Sequence, residues 1–158
     1  MSYREAPWSA RFASLGDEAE GVFEAVLPLG KVQRFGWRRP DVPMTNMGAR
    51  VRHMPDYYAA SGYLVEVMGL GRDGILKLKL DKWDALKWWN QSGNKVALFV
   101  WNSSKKMYVI VAWDALRTLV GRARQAGIAS FQVDGNEYYP IQWEWIAESS
   151  LPIPWEVG

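Results

Sequence analysis

Asp56 and Glu66 are separated by nine residues, and the stretch between them reads as two strands joined by a turn over residues 59–62. On an extended strand Leu64, Glu66 and Met68 face one way and Val65 and Val67 the other. If the hairpin is centred on Ser61, residues whose numbers sum to 122 stand opposite each other, and Asp56 and Glu66 meet that condition. Directly opposed β-carbons lie about 4.5–5.5 Å apart. Two carboxylates that close repel unless a proton or a cation lies between them. A hard divalent cation such as Mg²⁺ takes carboxylate oxygens, a backbone carbonyl and water. Asp56, Glu66 and the carbonyl of Val67 supply the protein's share of that set. Such an ion can hold a phosphate, lower the pKa of an attacking water and stabilise developing charge. The spacing by itself is a weak signal, because a register shifted by a residue or two would leave Asp56 in a turn and Glu66 on a half-exposed strand.

Other chemistries are excluded by composition. The chain has no cysteine, so disulfides, thiolate metal sites and a cysteine nucleophile are ruled out. His53 is the one histidine, which removes a multi-histidine zinc site. Gly69, Gly71 and Gly74 spell a dinucleotide-type glycine pattern after a strand, but no ribose-binding acid follows in a βαβ unit.

The elements needed to place the carboxylates can be read along the chain. Residues 1–13 read as a loosely held arm and residues 14–158 as one domain. Ser14 or Asp17 opens a helix with an acidic first turn, and Ala19, Val22, Phe23 and Val26 form its apolar stripe until Pro28 and Gly30. Strands are expected at 31–37, 49–58 and 63–68, with a proline-containing loop at 38–48. A glycine-rich loop at 69–74 leads into an amphipathic helix at 76–89. Strands follow at 96–101 and 107–112, a helix at 113–126, and short strands at 131–133 and 138–146 around Asp134-Gly135-Asn136. The alternation implies an α/β domain with a mixed β-sheet flanked by helices.

Pro55-Asp56, nine residues, then Glu66-Val67-Met68 resembles the core of the PD-(D/E)xK nuclease superfamily, and particularly its Holliday-junction-resolvase-like and small bacteriophage nucleases. The resemblance covers about residues 15–120, leaving 121–158 as an extension with no counterpart. It implies a restriction-endonuclease-like fold and a Mg²⁺-dependent deoxyribonuclease, with Mn²⁺ able to substitute. Asp56, Glu66 and the Val67 carbonyl would hold the metal. The family's upstream helical glutamate is matched best by Glu20, with Glu24 in reserve, and would bind a second metal ion or orient the attacking water. The departure is Met68, which stands where the family has its lysine and carries no charge. A lysine from 75–82 would replace it. If 75–80 is a strand, Lys77 and Lys79 share a face; if a helix starts near Leu76, Lys79 and Lys82 do. Lys79 is the first choice, with Lys77 and Lys82 behind it.

The 19 basic and 17 acidic residues are unevenly spread, with six bases against Asp41 alone over residues 31–53. Arg72, Lys82, Arg38, Arg39, Arg50 and Arg52 are the candidates for DNA phosphate contacts. The expected function is hydrolysis of DNA phosphodiesters, on branched or structured DNA in the manner of recombination enzymes, with a homodimer suited to paired cuts. No apolar run is long enough to span a bilayer and no secretory h-region opens the chain, so a cytoplasmic location is expected. Two other readings remain. In one, the nuclease fold binds DNA or protein and no longer cuts. In the other, some of the ten tryptophans form a platform for bases or sugars, which requires Trp88, Trp89, Trp143 or Trp145 to be exposed together.

Overall fold

A strand that is apolar along both faces must be covered on both sides, and β5 (Lys95–Asn102) is such a strand, buried from Val96 onward. The computed structural model describes residues 15–27, 32–36, 48, 50, 53–149 and 153–154. In it β5 runs parallel to β3 (Tyr63–Gly69) and antiparallel to β6 (Met107–Ala112). β2 (Tyr57–Ala59) and β1 (Val32–Arg34) extend the β3 side, and β9 (Ile153–Pro154) extends the β6 side. The order is β1-β2-β3-β5-β6-β9, a mixed sheet. A second, antiparallel sheet has the order β4-β8-β7, from β4 (Ile75–Lys79), β8 (Glu137–Gln142) and β7 (Ala129–Ser130).

Four helices among the described residues flank the sheets. Helix α1 (Leu15–Val26) covers one face of the main sheet, where Ala19, Val22 and Phe23 pack with Tyr57, Val65, Val67 and Phe99. The other face is covered by α2 (Leu80–Gln91), α3 (Trp113–Ala126) and α4 (Trp143–Ser149). There Leu98, Val100, Val109 and Val111 meet Leu116, Leu119 and Val120 of α3 together with Leu76, Leu78, Ile141 and Ile146. The mixed α/β architecture agrees with the sequence reading.

Several boundaries differ. Residues 75–79 are a strand, not the first turn of a helix, because Leu76 and Leu78 bury one face against the core while Ile75, Lys77 and Lys79 take the other. The helix starts only at Leu80. Residues 143–149 are helical rather than extended, burying Trp143 and Ile146, three apart, on one side. Residues 131–133 form the turn of the last hairpin instead of a strand, and the second expected strand begins at Tyr57, not near 49. The arm at 1–13 and the loop residues Arg38 and Arg39, with Arg52, lie outside the described residues. The extension after residue 120 is built into the core, since β8 pairs along the whole of β4 and Tyr139, Ile141, Trp143 and Ile146 are buried.

Candidate active site

The β2–β3 hairpin turns at Gly62, whose backbone has φ of 94° and whose N–H donates to the Ala59 carbonyl at 2.9 Å. Only a residue without a β-carbon takes that conformation readily. The turn sets the register Tyr57↔Val65 and Tyr58↔Leu64, and one further step brings Asp56 opposite Glu66. Asp56 is then pinned from two directions. The N–H groups of Phe35 and Gly36 donate to its carbonyl at 2.8 and 3.1 Å. The Val67 N–H donates to its Oδ2 at 2.9 Å.

That last bond says where the Val67 carbonyl points. On a strand the N–H and C=O of one residue aim at the same edge, so the carbonyl also faces the Asp56 side. The ladder between β2 and β3 ends at Tyr57↔Val65, and Pro55, which has no N–H to donate, lies just before it.

Glu66 is 3% exposed, an unusual position for a carboxylate. Its Oε1 accepts from Lys82 Nζ at 2.9 Å. Its Oε2 is buried with no hydrogen-bond partner among the described residues. Burial first, and the nearby Asp56 charge second, push the Glu66 carboxyl up to about 8, with Lys82 opposing. Burial also works against the charge on Lys82, but the carboxylates of Glu66 and Asp56 outweigh it and hold the ammonium above its ordinary range.

Arg34 closes the other side. Its guanidinium forks between Glu20, at 3.0 Å, and Asp56, at 3.7 Å, and lies 5.0 Å from the centre of the Tyr57 ring. Burial opposes the charge, yet Asp56 and Glu20 together hold Arg34 above the usual range. Tyr57 in turn donates to Glu24 Oε1 at 2.7 Å, and burial, then that bond, raises its phenol. The result is three carboxylates (Glu20, Asp56, Glu66) facing two cations (Arg34, Lys82) at the end of the main sheet.

The structure therefore brings together Asp56, Glu66, Val67, Glu20 and Lys82 from the sequence-based set, and adds Arg34. Lys77 and Lys79 go elsewhere. They project from the other sheet, with Lys77 Nζ 3.2 Å from Asp73 and Lys79 Nζ 5.7 Å from the centre of the Phe131 ring. Lys82, in the first turn of α2, is the lysine on Glu66. Arg72 is exposed in the loop after β3. Arg50 lies over Trp88 at 5.2 Å, at the far end of α2 from Lys82. Of the tryptophans singled out in the sequence, Trp143 is buried and Trp88, Trp89 and Trp145 are half-buried, with Trp88 and Trp89 edge-to-face against each other. Arg34 was legible only as one of several arginines leading into the hairpin that could border the carboxylates, and nothing in its spacing separated it from the other five bases nearby.

The donor set suits a hard divalent cation in kind: two carboxylates, one with a buried oxygen that no described donor reaches, and a backbone carbonyl. Among the described residues no third carboxylate or histidine joins them in a ligand cluster.

No family model and no curated protein matches the chain. Among solved structures, the Holliday junction resolvase Hjc of the archaeal hyperthermophile Archaeoglobus fulgidus is similar at a TM-score of 0.39 and 12% identity, covering 84% of this chain and 95% of that one.

Proposed function

We propose that the chain is a Mg²⁺-dependent deoxyribonuclease of the PD-(D/E)xK type in which Lys82 takes the part of the missing motif lysine. The observation that carries this is the buried Glu66, opposed to Asp56, contacted by Lys82 and left with an unsatisfied oxygen. A buried carboxylate without that satisfaction is destabilising, and a bound cation is one way to relieve it. Asp56, Glu66 and the Val67 carbonyl would hold the ion. When bound, it would supply Lewis-acid activation of a phosphate and a more acidic water. Lys82, held protonated, would stabilise negative charge on the phosphate and donate a hydrogen bond near the attacking water, rather than act as a base. Arg34 would orient Asp56 and add positive charge beside it. The substrate would be DNA, on the resolvase-like resemblance a branched or structured form, and a homodimer would suit paired cuts.

The ion pairs also favour a second reading, a fold that binds DNA without cutting it, because Arg34 and Lys82 already offset two of the three carboxylates. Cleavage of labelled duplex, single-stranded and four-way-junction DNA with Mg²⁺ or Mn²⁺ separates the two. The nuclease reading expects metal-dependent cutting that Asp56→Ala and Glu66→Ala abolish, that Lys82→Ala lowers by about a hundredfold or more, and that Lys79→Ala leaves within a few-fold. Calorimetric Mg²⁺ binding that disappears in Asp56→Ala would accompany it. Salt-sensitive DNA binding with no cutting of any substrate establishes the binding reading instead.

A further inference from the structure

The β4-β8-β7 sheet has an outward face that the proposed active site does not use. The register Lys79↔Tyr138 and Lys77↔Pro140 places both lysines beside Tyr138 and Pro140 on that face. Phe131, just after β7, meets Tyr138 with ring centres 4.4 Å apart and planes tilted by 45°. Lys77 Nζ lies 5.9 Å from the centre of the Tyr138 ring and Lys79 Nζ 5.7 Å from that of Phe131. All four side chains are half-buried, so each keeps a surface open to solvent. The nearby acids are Asp73, paired with Lys77, and the exposed Asp134 and Glu137 of the hairpin.

Two adjacent rings and two ammonium groups on one open sheet face match one kind of ligand. Aromatic faces stack on bases whatever their identity, and lysines beside them meet the phosphates between those bases. A duplex hides its base faces, whereas an unpaired strand offers them. We infer that this face binds unpaired nucleotides of a nucleic-acid strand, with bases on Phe131 and Tyr138 and phosphates on Lys77 and Lys79. Asp73 competes with phosphate for Lys77. The inference stands on these residues and not on hydrolysis at Asp56 and Glu66. Lys79 ends β4, and α2, with Lys82, begins at the next residue.

The test is fluorescence anisotropy of the full chain with a short labelled oligothymidylate and a matched duplex, in a chelator so that no cleavage intervenes. The expected result is preference for the single strand. Phe131→Leu with Tyr138→Leu should weaken single-strand binding about tenfold or more, and Tyr138→Trp should retain it. Lys77→Gln with Lys79→Gln should reduce the salt dependence by one to two phosphate contacts. Equal or better binding to the duplex, or unchanged binding by the leucine variant at an unchanged thermal midpoint, overturns the inference. If the leucine variant does not fold, photocrosslinking of a halogenated oligonucleotide to the wild-type chain decides: an adduct on Phe131 or Tyr138 supports the site, and adducts confined elsewhere refute it.

Discussion

Met68 sits half-buried against the core shared by β5, β6 and α3. On the proposed reading, packing fills the place of the motif lysine and Lys82, on a neighbouring helix, brings the positive charge. The carboxylate pair was legible before the fold because hairpin arithmetic depends only on the turn, and Gly62 fixes the turn. The lysine was not, because Lys77, Lys79 and Lys82 are separated by where β4 ends, and boundaries depend on tertiary packing. Glu66 gives a pH prediction. Its folded pKa, about 8, is raised above the unfolded value of about 4.3, so its contribution to stability is present below the unfolded value and is lost as pH rises through the folded one. Glu66→Gln removes that loss. In a chelator, the variant's thermal midpoint should gain on the wild type between about pH 5 and pH 8. Parallel curves for the two proteins would contradict the buried, neutral-leaning carboxyl.

At the scale of elements, the site depends on how closely β1 approaches the strand bearing Asp56. A β-carbon at Gly36 would lie 2.7 Å from the Pro55 carbonyl oxygen and 3.2 Å from the Asp56 α-carbon. Both are backbone atoms and cannot rotate away. Gly36→Ala should therefore cost about 1–3 kcal/mol of stability and shift Asp56 relative to Val67. Chemical denaturation checks the first effect and loss of Mg²⁺ affinity the second; an alanine variant as stable as wild type would show that β1 yields without strain. The alternation Ile75-Leu76-Lys77-Leu78-Lys79 was the available sign of β4, since two leucines two apart bury one face. It was outweighed by the helical spacing that continues from Leu80. The same conflict hid α4, where Trp143-Glu144-Trp145 alternates like a strand while Trp143 and Ile146 pack like a helix.

On the scale of the molecule, the residues that the sequence left without a role complete the core. β8 pairs with β4, and β8 and α4 together place Tyr139, Ile141, Trp143 and Ile146 against Leu76, Leu78 and Leu116. A chain ended at Gly121 would leave β4 without its partner strand and expose that apolar surface. It should lose cooperative thermal unfolding and near-ultraviolet circular dichroism, and a truncated chain that keeps both would show the second sheet to be dispensable. The mixed sheet itself was readable, because Val96–Trp101 and Met107–Ala112 announce strands by composition alone; the split into two sheets was not, since it requires pairing between residues about sixty or more apart.

The division of the lysine from the carboxylates has a mechanical consequence. A motif written on a single strand keeps its charges at a spacing fixed by covalent bonds. Here Glu66 belongs to the main sheet, while Lys82 follows directly from the strand of the smaller one, and their 2.9 Å contact is held by the seating of α2 through Trp83, Ala85 and Leu86. The two charges thus sit on different elements joined by apolar packing, so what holds that packing also sets the distance between them.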